Sequence, residues 1–355
     1  MNYLTKKQLA ILVFFIPLAF KMAMLPSLLY KECGASFYIG TGIITAFEFL
    51  QLAVILKIVS LGGFEKIEKS FGKVAKYALA LPFLFTVMVK TIIFSAEVFN
   101  YTTRYLFYNI SPLPIIFALC LTAFYIAVKG AKTIGRIYEL SVWIIPLIII
   151  FGVFFGKSEL CADYLLPVFE NGVAATLKGL DKYIIYTFDF SPLLFFRIEK
   201  GKNLSVIISS VLSVLAVTGC YMFFLVSYGR ASFLIPDAFA RLASFNTVVS
   251  EIGSLDWPSS ILWICVSVAN IGIKLCTIGE IGSFFNLKKP WFIGLAAIAT
   301  AIVLMTALGT YDKIIAFASS AIRYAVVGIE IVLPIVMLVL TKIKLPAEVS
   351  LETKN

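Results

Sequence analysis

The segment Tyr186-Thr-Phe-Asp-Phe-Ser-Pro-Leu-Leu-Phe-Phe196 constrains this chain more than any other. It is apolar enough for a bilayer, yet it carries Asp189 and Pro192 near its middle. Proline removes a backbone donor and clashes with the preceding turn, and an ionised carboxylate at bilayer depth is costly unless it faces protein, water or an ion. A continuous lipid-facing helix is therefore excluded as an expectation. The first apolar segment, 9–28, repeats the pattern, with Lys21 embedded and Pro17 and Pro26 interrupting it. Two interrupted helices in corresponding halves of a chain point to a substrate site at the membrane midplane.

Composition supports this frame. Of 355 residues, 61% are hydrophobic and 14% charged, with a mean hydropathy of +0.98, whereas soluble domains are about 45–50% apolar and about 25% charged. The expected fold class is an all-α polytopic membrane protein. Ten spans are placed at 9–28, 37–58, 76–104, 112–128, 138–156, 183–197, 203–228, 258–282, 290–308 and 314–341. Most approach the roughly 20 residues that cross the hydrocarbon layer, and the short sixth suits a discontinuous helix. The net charge of +10 suggests topology, not nucleic acid: with the N-terminus in the cytoplasm, eighteen Lys and Arg fall in inner segments and eight in outer ones. Both termini are thus expected inside.

The chain is expected to be a single integral membrane domain, 1–355, with approximate repeats 9–156 and 183–341. Five spans per half would invert the second repeat relative to the first, giving a 5+5 inverted repeat with broken helices one and six. The third and eighth spans both carry a central lysine, Lys90 and Lys274. The segment 61–77 reads either as an interfacial amphipathic helix, with Phe64, Ile67, Phe71 and Val74 on one side, or as a solvated linker. Loops 157–182 and 229–257 read as structured connectors, or else as a lid or a partner surface. Six scattered cysteines and no histidine give no metal signature; only Cys33 and Cys161 map to one side and could meet. No phosphate-loop pattern supports ATP hydrolysis, and neither a catalytic residue nor a cofactor is expected.

Deep polar residues define the candidate site. Asp189 is the first choice to meet a ligand ammonium or a coupling cation such as a proton or sodium, with Ser191 beside it; alternatively Asp189 caps a second half-helix that Pro192 begins. Lys21 is a candidate for holding a carboxylate or replacing a bound cation, or it neutralises Asp189 or Glu48. Met24, Tyr186 and Phe190 complete the expected substrate surface, although phenylalanine is abundant and most aromatics face lipid or other helices. Glu48, Lys90, Glu97, Asn270, Lys274 and Glu330 form an expected charge network. Lys90 and Glu97 are seven residues apart, as are Arg323 and Glu330, so each should find partners on other spans. Lys274 is expected to pair with Glu280 or another acid, or to respond to protons; Glu330 relays protons or partners Arg323 or Lys274. Gly272, Gly279 and Gly282 are expected to permit close helix packing.

Nearly the full length resembles the bacterial spore-germination permeases, the membrane B subunits of germinant receptors, within the amino acid/polyamine/organocation transporter superfamily. The resemblance rests on Leu4-Thr5-Lys6-Lys7-Gln8 before span one, and on Gly135-Arg136-Ile137-Tyr138-Glu139 followed by Trp143 and Pro146 at span five. Leu255-Asp256-Trp257-Pro258 adds to it. The resemblance implies a receptor in the inner spore membrane that binds a small germinant, in most cases an amino acid, and works with a membrane-containing A subunit and a lipoprotein C subunit. Gly135, Arg136 and Glu139 would then structure the entrance to span five. A proton- or cation-coupled amino-acid transporter and a structural scaffold for partner subunits are the alternatives. Lys21 departs from the glycine-rich interruption common in amino-acid permeases.

Overall fold

The computed structural model describes residues 3–22, 24–105, 111–155, 160–199, 201, 203–235 and 256–343, with side chains left undescribed at 105, 144–155, 256–260 and 262. It is an all-α bundle whose apolar residues divide between a continuous interior and an outward surface. Phe47, Leu50, Phe117, Trp143, Trp291 and Val332 are all exposed on helix flanks, which suits hydrocarbon and not water. Among the described residues, seven helical stretches are long and apolar enough to cross a membrane.

The chain enters through a two-residue strand β1 (Tyr3–Leu4) and helix α1 (Lys6–Lys21). A capping box starts α1: the Gln8 amide donates to Thr5 Oγ1 at 3.2 Å and the Thr5 amide donates to Gln8 Oε1 at 3.3 Å. Pro17 lies inside α1 without ending it, so of the two prolines only Pro26 marks an interruption, in the first turn of α2 (Leu25–Cys33). A first-turn proline loses no helical hydrogen bond, which is why the chain restarts there. Helix α3 (Phe37–Ser60) returns, and α4 (Gly63–Tyr105) follows. The amphipathic stretch is the first leg of α4, and Gly72, at φ 84° and ψ 174°, breaks the helix before the membrane-spanning leg. Phe64 and Ile67 of the first leg are buried, whereas Val74, just past the break, is exposed.

Helices α5 (Pro112–Lys129) and α6 (Ala131–Phe155) are joined at Gly130. Loop 157–182 is structured where it is described, ending in α7 (Gly172–Lys182), which packs on α2. Beyond α7, residues 183–197 are more unwound than a broken helix. They form two 3-10 turns, Ile184–Tyr186 and Ser191–Phe195, and then a strand β2 (Arg197–Ile198) that pairs in parallel with β1. Helix α8 (Leu204–Tyr228) packs along α1 and α3. Next come α9 (Asp256–Phe284) and α10 (Lys289–Thr306). The expected tenth span is divided into α11 (Tyr311–Ala318) and α12 (Ile322–Lys342). Leu255 and most of loop 229–257 lie outside the described residues, as do the chain ends 1–2 and 344–355.

Helices α3, α4, α9 and α12 pack on the unwound segment, and α1 meets it through Phe20 and Tyr186. The small residues of α9 make this possible: a Cβ on Gly272 would stand 2.8 Å from Ile126 of α5, and one on Gly279 2.6 Å from Ile293 of α10.

Candidate functional site

The two interruptions lie side by side at the centre of the bundle. Phe20, at the end of α1, packs its ring 5.1 Å from Tyr186 and 5.2 Å from Phe94 of α4. Tyr221 of α8 donates from its hydroxyl to the Lys21 carbonyl at 2.8 Å, satisfying an acceptor freed where α1 stops. The other break runs through Thr187 and Phe188, where helical hydrogen bonding ceases and Phe188 takes φ 59°, the left-handed region that a bulky residue avoids.

Buried charge fills the space between the breaks. Lys21 Nζ donates to both oxygens of Glu48 on α3, at 2.6 and 2.7 Å, with each side chain 1% exposed. Of the two acids open to Lys21 by sequence, Glu48 is therefore the partner. Lys274 Nζ on α9 donates to Asp189 Oδ2 at 2.5 Å and to Asn270 Oδ1 at 3.1 Å. Its ammonium also faces the rings of Phe20 and Phe94, 5.4 and 5.6 Å from their centroids. Lys90 Nζ donates to the Thr187 and Phe188 carbonyls, each at 2.8 Å, and stands 3.6 Å from Asp189 Oδ1 and 4.0 Å from Glu330 Oε1. Glu330 of α12 accepts from Ser191 Oγ at 2.8 Å and from Gln51 Nε2 at 3.1 Å.

The sequence-derived residues thus converge, with a few reassignments. Asp189 does not cap a helix, since the following turn begins at Phe190 without a side-chain cap and the carboxylate is held by lysines. Lys274 pairs with Asp189, not with Glu280, which binds Lys289 at 2.6 Å. Arg323 leaves Glu330 to others and reaches Asp181 of α7 at 3.2 Å. Glu97 is buried two turns along α4 from Lys90, near Tyr186. Phe190 packs its ring 5.4 Å from Phe49, an apolar contact. Met24 is buried at the head of α2 and offers its carbonyl to Ser27 Oγ at 3.1 Å. Cys33 and Cys161 are both free thiols.

Two of the segments that carry the resemblance, Leu4–Gln8 and Gly135–Glu139, meet in the structure. Gly135 of α6 abuts Gln8 of the capping box, so that a Cβ there would lie 2.8 Å from Gln8 Cδ. Tyr138 is buried against Phe15 of α1, while Arg136 is exposed and Glu139 partly so. Trp143 is exposed, and Pro146 lies where side chains are not described. Three participants escaped sequence inspection: Gln51, Tyr221 and the Thr187–Phe188 carbonyls. Gln51 carried one signal, a polar residue one turn beyond Glu48 on an apolar helix; the carbonyls carried none.

Polar contacts join the elements at both ends of the bundle. At the N-terminal end, Arg197 binds Glu65 at 2.9 Å, Lys6 Nζ donates to Asn203 Oδ1 at 2.7 Å, and β1 pairs with β2. At the opposite end α7 is tied to α2 by Lys182–Glu32 at 2.6 Å, and to α12 by Arg323 and by the Tyr324 hydroxyl, which donates to Asp181 at 2.8 Å. The hydrogen bond to Glu32 pushes the Lys182 ammonium up from its ordinary pKa. One concavity, about 630 Å³, runs between α3 and α8. A smaller one of about 260 Å³ between α3 and α12 reaches Gln51 and Phe188 at the cluster's edge. The ion-paired side chains of the centre are themselves buried.

Fold and site together define a multi-pass, all-α membrane protein with a buried, ion-paired centre. The chain matches no protein-family model and no curated protein.

Proposed function

We propose that this chain is the permease-like B subunit of a spore germinant receptor, which takes a small germinant, an amino acid, between its interrupted first and sixth segments. One observation carries the proposal: the two breaks meet, and acceptors and donors of opposite charge are packed between them. A zwitterion could enter such a centre by exchange. Its ammonium would replace Lys274 on Asp189, and its carboxylate would take the lysine released, so that no charge is left bare in a medium where bare charge costs several kcal/mol. The corresponding lysines of the third and eighth spans, Lys90 and Lys274, both lie on Asp189, at 3.6 and 2.5 Å, which favours the 5+5 inverted-repeat arrangement. The abutment of Gly135 on Gln8 joins the two landmarks that carry the family resemblance.

In this mechanism ligand exchange loosens one end of the bundle, and the altered surface is passed to the A and C subunits, in the inner spore membrane or the cell membrane with both termini cytoplasmic. A proton- or cation-coupled amino-acid transporter is the second reading. It is favoured by the density of buried charge at the breaks, where Lys21, Lys90 and Lys274 meet the carboxylates of Glu48, Asp189 and Glu330.

Proteoliposomes with and without the partner subunits, given a labelled amino-acid panel, separate these readings. Saturable binding lost in Asp189→Asn, without accumulation, supports the receptor. Accumulation by this chain alone supports the transporter. Absence of binding even in the assembled complex would overturn both and leave a scaffold for the receptor subunits.

A further inference from the structure

The Thr187 and Phe188 carbonyls pose a problem of their own. The chain is unwound there, so neither oxygen has a helical donor, and buried carbonyls must be satisfied. At a broken membrane helix, freed carbonyls of this kind commonly coordinate a monovalent ion. Here the position is filled by Lys90, which is 1% exposed and reaches across from α4. Its Nζ has oxygen neighbours of the kind a small cation takes: two backbone carbonyls at 2.8 Å and two carboxylates at 3.6 and 4.0 Å. Among the described residues Asp189 Oδ1 has no hydrogen-bond partner, and the nearby ammonium of Lys90 compensates its charge. Lys274 cannot substitute, because its bonds go to Asp189 Oδ2 and Asn270.

We propose that the Lys90 ammonium is the resident cation of the unwound segment, a covalently tethered stand-in for a sodium-sized ion at the Thr187–Phe188–Asp189–Glu330 oxygens. This deepens the permease-like reading by specifying the ion requirement of its central site. A tethered cation cannot exchange with the bulk, so the site is complete without added metal ion. It also joins the unwound segment to α4: any movement of Thr187 and Phe188 must either carry α4 along or give up both carbonyl bonds at once. Lys90 is a positioning residue here, acting on the segment and not on the ligand.

The test reads cations and needs no germinant, so its failure and that of the receptor reading can be told apart. The purified chain in lipid nanodiscs is unfolded thermally at constant ionic strength in sodium, potassium, methylammonium or choline chloride. Wild type is expected to keep one midpoint in all four salts. Lys90→Ala removes the ammonium and leaves room; in choline its midpoint should fall, and sodium or methylammonium should raise it saturably. Saturable stabilisation of wild type by sodium would overturn the proposal, and that arm holds even if the variant does not fold. A Lys90→Ala midpoint equal to wild type in choline would also overturn it, as would a loss that none of the small cations restores, which would mark Lys90 as packing alone.

Discussion

Breaking the Lys21–Glu48 pair should be far more costly than removing it. The ammonium touches both carboxylate oxygens at 2.6 and 2.7 Å with 1% of each side chain exposed. At an effective dielectric near 20, charges at that separation attract by about 6 kcal/mol, while each ion gave up several kcal/mol of hydration to be there. The net worth of the pair is therefore small, but a survivor left alone keeps its desolvation cost without the attraction. Glu48→Leu or Lys21→Met should each destabilise the protein by about 3–5 kcal/mol, whereas the double variant, with apolar side chains of similar bulk, should lie near wild type or above it. Tyr221 holds the Lys21 carbonyl, a backbone contact that survives in all three variants. The assay is reversible unfolding in mixed micelles titrated with a denaturing detergent, analysed as a double-mutant cycle. The predicted coupling is at least about 6 kcal/mol. Single effects that add to the double effect within about 0.5 kcal/mol, as independent sites do, would refute the argument.

Gly135→Ala should cost about 1–3 kcal/mol by forcing Gln8 out of the capping box, and Gln8→Ala in the same chain should recover part of it; thermal midpoints of the three variants decide. Gly179 of α7 lies against α2, where a Cβ would stand 2.9 Å from Glu32 Cβ and press on Cys33. Gly179→Val should therefore lift α7 and speed labelling of the buried Cys33 by a maleimide, read by mass spectrometry with the other cysteines as internal controls. Lys182 is raised by its bond to Glu32, so its contribution to the α2–α7 latch is fully present below the ordinary lysine pKa and is lost as pH rises through the higher folded value. Cys33 labelling should then be insensitive to the titration of Lys182 from pH 6 to 9, and Lys182→Met should accelerate it modestly, because the pair is partly exposed.

Membrane residence, the helical class and the unwinding near Asp189 and Pro192 were legible in the sequence, because each follows from local chemistry. An apolar run must satisfy its own backbone, and a proline or an embedded charge cannot be hidden in it. The identity of the central residues was legible for the same reason: Lys21, Glu48, Lys90, Asp189, Lys274 and Glu330 stand out in apolar surroundings. Their pairing was not, since it depends on how α3, α4, α9 and α12 are rotated about segment six, and spacing along one helix carries no information about its neighbours. Tertiary structure alone assigned Glu48 to Lys21 and sent Arg323 to α7. It alone placed Lys90 on two carbonyls that look, in the sequence, like any other peptide groups. The division of the last span into α11 and α12 was likewise invisible. Sequence determined which charges are buried, because burying them is costly everywhere; packing decided which partner offsets each cost, because only proximity in space sets an electrostatic interaction.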